Sequence, residues 1–280
     1  MKVIRTVAEL RAWSREAHRL GEAVGLVPTM GALHEGHLSL VRAAKASCGA
    51  VAASIFVNPT QFGPNEDFAL YPRTFEADCA MLEAEGVDIV FAPTPEEMYP
   101  AGAATFVEVA GLSDRLDGQS RPGHFRGVAT VVAKLLIGAE PDRAFFGQKD
   151  AAQVAVLRRM IADLCLPVEL VVCPIVREPD GLAMSSRNRY LSAEERRKAL
   201  ILSGALQAVQ KSIETGETRA GELVGVAREV FSSEPEVRVD YIAAVDWAAL
   251  QPVEKIASGT LFAVAAYVGS TRLIDNFVVE

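Results

Sequence analysis

The chain has 280 residues, half of them apolar and 23% charged, with a formal charge of −8. That length allows one large domain or two smaller ones with a sizeable core, and the acidic balance argues against a dominant nucleic-acid surface while leaving room for a local basic pocket. Four cysteines without a C-x-x-C read as buried free thiols of a reducing compartment. With no signal-peptide pattern at the start and no apolar run of the ~18 residues a membrane span needs, a soluble, cytoplasmic protein is expected.

In chain order, residues 6 to 20 read as a helix capped by Thr6, with Leu10, Trp13 and Leu20 on its apolar face. Ala23 to Val27 is a short buried strand, and the pattern turns helical after His37. Ala50 to Val57 is a second strand, stopped by Pro59. Phe75 to Glu85 is a helix and Val87 to Ala92 a third strand. Gly111 to Gly127 is a polar loop carrying Asp114, Arg115, Arg121, His124 and Arg126, long enough to be a mobile flap. Val128 to Ile137 is a helix, Arg143 to Phe146 a strand, Ala151 to Leu164 a helix, and Val168 to Val176 a strongly buried strand. Such alternation, with apolar strands throughout, predicts a parallel sheet covered on both faces. After the turn at Glu178-Pro179-Asp180-Gly181 the order changes. A capping box at Ser192 opens a long helix to about Ile213, and a second helix runs from Ala220 to Phe231. Three strands follow, over Val237 to Ala243, Leu261 to Tyr267 and Arg272 to Phe277. The expected architecture is a Rossmann-like α/β domain over residues 1–175 and a smaller α+β domain with an antiparallel sheet over residues 176–280.

The chemistry-bearing stretch is Met30-Gly31-Ala32-Leu33-His34-Glu35-Gly36-His37. A strand end, a glycine loop and a helix start form an anion site, because unpaired N–H groups of a first helical turn point at whatever sits there. Gly31-x4-Gly36 lacks the Lys-Ser/Thr of a Walker A loop. The two histidines are three apart, one short of the zincin H-E-x-x-H, and a zinc site would need distant ligands. Lys149-Asp150 follows another strand end. Ligands gather at such ends, so Lys149 is a candidate for neutralising phosphate, while Asp150 alone reads as a helix cap. Met184-Ser185-Ser186-Arg187 offers two hydroxyls and a guanidinium to a triphosphate. The amides of Asn58, Gln61 and Gln153 suit a small hydroxylated acid, although either glutamine alone would ordinarily face solvent. Glu76, Asp78 and Glu83 read as a solvated helix face, with Asp78 a candidate metal contact.

H-x-G-H resembles the signature of nucleotidyltransferases and class I aminoacyl-tRNA synthetases, and Met184 to Arg187 resembles the second synthetase signature with arginine in the cationic place. Pro28 to His37, Phe56 to Phe62, Tyr71-Pro72-Arg73, Arg121 to Val128, Phe146 to Asp150 and Met184 to Asn188 together make the whole chain similar to the bacterial pantoate–β-alanine ligases. That resemblance implies adenylation of (R)-pantoate by ATP with magnesium, then attack of β-alanine on the acyl adenylate with release of AMP. It implies ATP contacts from Met30 to His37, from Gly147, Gln148, Lys149 and Asp150, from Val176, and from Met184, Ser185, Ser186 and Arg187. It also implies catalytic roles for His37, His34, Lys149 and Arg187, pantoate contacts from Gln61 and Gln153, and a homodimer. Where the family often has lysine this chain has Gln148, which implies one basic contact fewer. The alternatives are transfer of AMP to a phosphorylated acceptor, a tRNA synthetase and a non-catalytic nucleotide-binding regulator. The chain has no room for an anticodon domain, and it keeps His34, His37, Lys149 and Arg187.

Overall fold

Strands that are apolar at every position can be buried on both faces, and here they pair in parallel. In the computed structural model, which describes residues 1–64 and 66–280, six strands form one sheet, the central ones buried almost throughout: β1 (Lys2–Ile4), β2 (Val24–Thr29), β3 (Ala50–Ile55), β4 (Ile89–Phe91), β5 (Arg143–Gly147) and β6 (Glu169–Cys173). Their order is β1-β4-β3-β2-β5-β6 and every pairing is parallel. From β2 the chain builds outward through β3 and β4 on one side, and through β5 and β6 on the other. The order therefore reverses at the β2–β5 pair, the place in an open α/β sheet where a crevice opens beyond the strands' carboxyl ends. The loop after β2 leaves the sheet there.

The chain divides into two units, Met1–Gly147 with Val156–Pro174, and Gln148–Ala155 with Ile175–Glu280. The first unit holds the parallel sheet and α1 (Val7–Arg19), α2 (Glu35–Ser47), α3 (Phe75–Ala84), the short α4 (Pro95–Met98) and α5 (Asp117–Ser120), α6 (His124–Ala139), and most of α7 (Ala151–Asp163). Thr6 caps α1 through a reciprocal box with Glu9. Val27, Leu33, Val41, Val51, Leu82 and Val90 pack as one buried cluster joining β2, β3 and β4 to α2 and α3.

Several expectations shift. The three-residue β1 is too short to show a pattern in sequence. At the opposite edge, β6 buries only Cys173 fully and is not a strongly buried strand. Cys165 is exposed and Cys79 half-buried, so burial of the thiols holds for Cys48 and Cys173 alone. The segment from Gly111 to Gly127 is not a free flap. It contains α5 with Asp117 and Gly118 buried, and α6 begins inside it at His124 after the left-handed Gly123.

In the second unit, α8 (Ala193–Ala199), α9 (Ile201–Glu214) and α10 (Ala220–Ser232) precede the antiparallel strands β7 (Val237–Asp246), β8 (Thr260–Val268) and β9 (Thr271–Val278), ordered β7-β8-β9. The single long helix expected after Ser192 is divided at Leu200, whose N–H bonds to Arg197 three residues back. One face of the sheet, through Phe262, Val264, Ala266 and Leu273, packs with Leu202, Leu206 and Leu223 of the helices. Segment 148–155, read from sequence as part of the first domain, groups with this unit. Asn276 donates to the Gln148 and Lys149 carbonyls, and the Trp247 indole to the Ala151 carbonyl. Among the described residues no helix is long and apolar enough to cross a membrane.

Candidate active site

The loop after β2 is built by short polar ties. The Thr29 hydroxyl donates to the Ser54 carbonyl at 2.7 Å and accepts from Gly31 N–H at 3.2 Å. Gly31 and Ala32 both take left-handed conformations, φ 81° and 51°, and for alanine that costs about 1 kcal/mol. Asp78 holds the turn in place. Its carboxylate accepts Ala32 N–H at 2.9 Å, Leu33 N–H at 2.8 Å and the Thr74 hydroxyl at 3.1 Å. Asp78 is 1% exposed, so it is neither part of a solvated helix face nor presented to a metal. Its lone pairs hold the loop.

This turn delivers His34 as the N-cap of α2, which starts at Glu35, earlier than the periodicity suggests. Two imidazoles replace the usual hydroxyl and carboxylate of a capping box. His34 Nδ1 accepts Gly36 N–H at 3.2 Å, and His37 Nδ1 accepts His34 N–H at 3.3 Å. An accepting Nδ1 carries no proton, so each neutral ring has its proton on Nε2. The rings lie 4.1 Å apart between centroids. Both are therefore donors at a helix start, where the backbone dipole already favours negative charge. The Glu35 carboxylate points elsewhere, into an ion pair with Arg42.

After β3, Asn58 caps the turn Pro59–Gln61, and Gln61 ends it. Asn58 is 1% exposed and fully occupied. Its amide nitrogen donates to Gln61 Oε1 and the Gly127 carbonyl, and its oxygen accepts from Thr60 N–H, the Thr60 hydroxyl and the Tyr99 hydroxyl. Asn58, expected to touch substrate, has no polar atom left for one and instead orients Gln61. Burial pushes the Tyr99 phenol up, keeping it a donor. Gln61 itself is 9% exposed, against the ordinary expectation for a loop glutamine, and its Nε2 lies 2.9 Å from Met30 Sδ. The loop after β2 and the acid-binding candidate thus adjoin within the first unit.

A second set of ties fixes the Gln61 backbone. His124 Nδ1 donates to the Gln61 carbonyl at 2.8 Å, and its Nε2 accepts from Arg121, which also pairs with Glu66. Burial first, and the Arg121 charge second, lower the His124 pKa from 6.5 to about 4. Below pH 6.5 the unfolded chain takes up this proton and the folded protein does not, so stability falls with pH down to about 4. At pH 5 the loss is about 2 kcal/mol relative to pH 7. Urea denaturation should show this slope in the wild type and not in His124→Gln, whose amide can serve both partners. Equal slopes would remove the assignment.

In the second unit, Gln148–Asp150 form a 3-10 turn at the start of α7, with Lys149 Nζ 3.6 Å from Asp150 Oδ1. Gln148, expected to contact ATP, donates its amide to Asn276 at 3.3 Å. Gln153 is half-buried. Val176 and Met184 face each other across a hairpin, Met184 N–H donating to the Val176 carbonyl at 3.0 Å. A bidentate pair of Arg177 with Asp275, at 2.7 and 3.0 Å, holds that hairpin to β9. Ser185 caps the 3-10 turn Ser186–Tyr190, accepting Arg187 N–H. The second unit thus carries Lys149, Gln153, Val176 and Met184–Arg187 on one scaffold. Tyr99, Asp275 and Asn276 escape sequence reasoning. The available signal was Asp275-Asn276 inside the otherwise strand-like Thr271-Arg272-Leu273-Ile274-Phe277-Val278.

A parallel sheet whose order reverses beside an imidazole-capped helix start defines a Rossmann-like, nucleotide-handling enzyme. A family model described as Pantoate-beta-alanine ligase matches residues 2–278. The pantothenate synthetase of Acidobacterium capsulatum is 64% identical, over 99% of this chain and 96% of that protein. The crystal structure of pantothenate synthetase from Thermus thermophilus has a TM-score of 0.94 at 48% identity, with 99% of each chain covered. That of pantoate-beta-alanine ligase from Francisella tularensis, complexed with β-γ ATP and β-alanine, has a TM-score of 0.79 at 32% identity, covering 99% of this chain and 97% of that one. The chain belongs to the pantoate-β-alanine ligase family.

Proposed function

We propose that the chain condenses (R)-pantoate with β-alanine at the expense of ATP, through a pantoyl adenylate. The pantoate carboxylate attacks the α-phosphorus and pyrophosphate leaves. The β-alanine amine then attacks the acyl carbon, the amide forms and AMP departs. The observation that carries this is the histidine pair. Two Nε2–H donors, fixed by their Nδ1 bonds at the start of α2, suit the charge that grows on phosphate oxygens in the transition state.

Roles follow from the chemistry each group can supply. Met30 to His37 of the first unit are assigned to ATP, with His37 as proton donor. Gly147, Lys149, Asp150, Val176 and Met184 to Arg187 are also assigned to ATP, Lys149 and Arg187 being the cations that neutralise phosphate. Gln61 and Gln153 are assigned to pantoate. Asn58 and Gln148, whose amides are engaged by protein groups, are assigned to positioning. Little covalent catalysis is needed, since holding a carboxylate in line with phosphorus can contribute about 7–11 kcal/mol when the alignment is near-perfect. The acyl adenylate hydrolyses readily, so these residues must also exclude water.

Magnesium is proposed to enter with ATP as part of that substrate. Among the described residues no three His, Cys, Asp or Glu side chains converge. That fits an ion held chiefly by phosphate oxygens and water. A homodimer in the cytoplasm completes the proposal. The test is pyrophosphate–ATP exchange with pantoate and without β-alanine. Exchange dependent on pantoate is expected, as is AMP release once β-alanine is added. Folded protein inactive at saturating pantoate would sink the adenylate route.

A further inference from the structure

Period-two alternation sends Asp275 and Asn276 to opposite faces of β9. Asp275 pairs with Val264 of β8, on the face covered by helices, and Asn276 with Ala263, on the other. Asn276 is 3% exposed, and its three side-chain bonds all run to one turn. Its Nδ2 donates to the Gln148 carbonyl at 3.1 Å and the Lys149 carbonyl at 2.9 Å, and its Oδ1 accepts from Gln148 Nε2 at 3.3 Å. Two consecutive peptide carbonyls and the side chain between β5 and α7 are thus gripped by a single amide.

We infer that Asn276, with Gln148 as its partner, is a positioning residue for Lys149. This rests on the ligase reading, in which Lys149 is a phosphate cation. A lysine on a flexible stem neutralises phosphate well only if its Cα is held still, because most of its freedom then lies in four side-chain torsions. The bonds from Asn276 fix the peptides on either side of that Cα. The Gln148 side chain completes the grip by donating its Nε2 to Asn276 Oδ1. A displacement of about 1 Å at a reacting group is enough to cost ~10²-fold in rate, so the anchor has kinetic weight although it touches no substrate.

The test is a double-mutant cycle read in pyrophosphate–ATP exchange. Asn276→Leu keeps size and removes all three bonds; Gln148→Leu removes one. Asn276→Leu should lower the exchange kcat by about 30-fold while KM for ATP moves less than about threefold. In a Lys149→Ala background the same substitution should change kcat by less than about threefold, because the group it positions is gone. Equal losses in both backgrounds would show a general structural role and overturn the inference. Gln148→Leu should show the same non-additivity at smaller size, and it decides the question if Asn276→Leu does not fold. Backbone hydrogen exchange supplies a reading independent of catalysis. Segment 147–153 should exchange about tenfold faster in either variant while β7 and β8 stay as in the wild type, and unchanged protection there also overturns the inference. Absence of exchange activity in the wild type would instead refute the ligase reading, with the hydrogen-exchange arm still deciding whether Asn276 anchors the turn.

Discussion

Replacing His37 by alanine lowers pantoate-dependent pyrophosphate–ATP exchange by about 10²- to 10³-fold, the usual cost of deleting one donor aimed at developing negative charge. The structure separates this from any loss of fold. His37 is half-buried at the third position of α2, where its Nδ1 accepts His34 N–H. Water can take over that N–H at an accessible helix start, so the stability cost is about 1 kcal/mol or less. His37→Asn sharpens the distinction. A shorter acceptor can still receive the His34 N–H, but it cannot extend a donor to where Nε2 stands. The expected result is near-normal thermal stability with exchange as low as in the alanine variant. Steady-state kinetics beside a melting curve decides the matter. Wild-type exchange in either variant would remove His37 from the chemistry.

What the sequence made legible, and what it did not, follows from the range of the interactions. The parallel sheet could be anticipated because its central strands β2, β3 and β4 are buried almost throughout without alternation, a local property. The loop from Met30 to His37 could be singled out because strand, glycines and histidines are contiguous. Residues whose role is set by a distant partner could not be read this way. Asp78 sits on a helix among acidic neighbours and reads as solvated, yet it is buried by bonds to Ala32 and Leu33, 46 and 45 positions away. Asn58 and Gln61 read as ligands because amides suit a hydroxyacid. Only the positions of Tyr99 and Gly127 reveal that Asn58 is saturated by the protein. Segment 148–155 continues from β5 in sequence, and its ties to Asn276 and Trp247 are formed across about a hundred residues. Long-range satisfaction of polar groups is what burial demands and what a linear pattern does not display.

Gly127→Ala tests the same point where two effects oppose each other. Inside a helix, alanine is favoured over glycine by about 1 kcal/mol, so on propensity alone the substitution would stabilise α6. The tertiary contact reverses the sign. A Cβ on residue 127 would stand 2.3 Å from the Thr60 carbonyl oxygen, 2.5 Å from its carbon and 2.7 Å from Gln61 Cα. All three are backbone atoms, so no side-chain rotation relieves the clash. Either α6 backs away or the turn Pro59–Gln61 is displaced. Both movements stretch the Asn58 bond to the Gly127 carbonyl and the His124 bond to the Gln61 carbonyl. Overpacking of this kind costs about 3 kcal/mol, more than the propensity gain. Because the displaced turn carries Gln61, kcat/KM for pantoate should fall by at least about tenfold while KM for ATP is less affected. Urea denaturation measures the first effect and exchange kinetics at varied pantoate the second. A more stable Gly127→Ala protein with unchanged pantoate kinetics would mean that the turn yields freely, and that the packing of α6 against it does not set the geometry of Gln61.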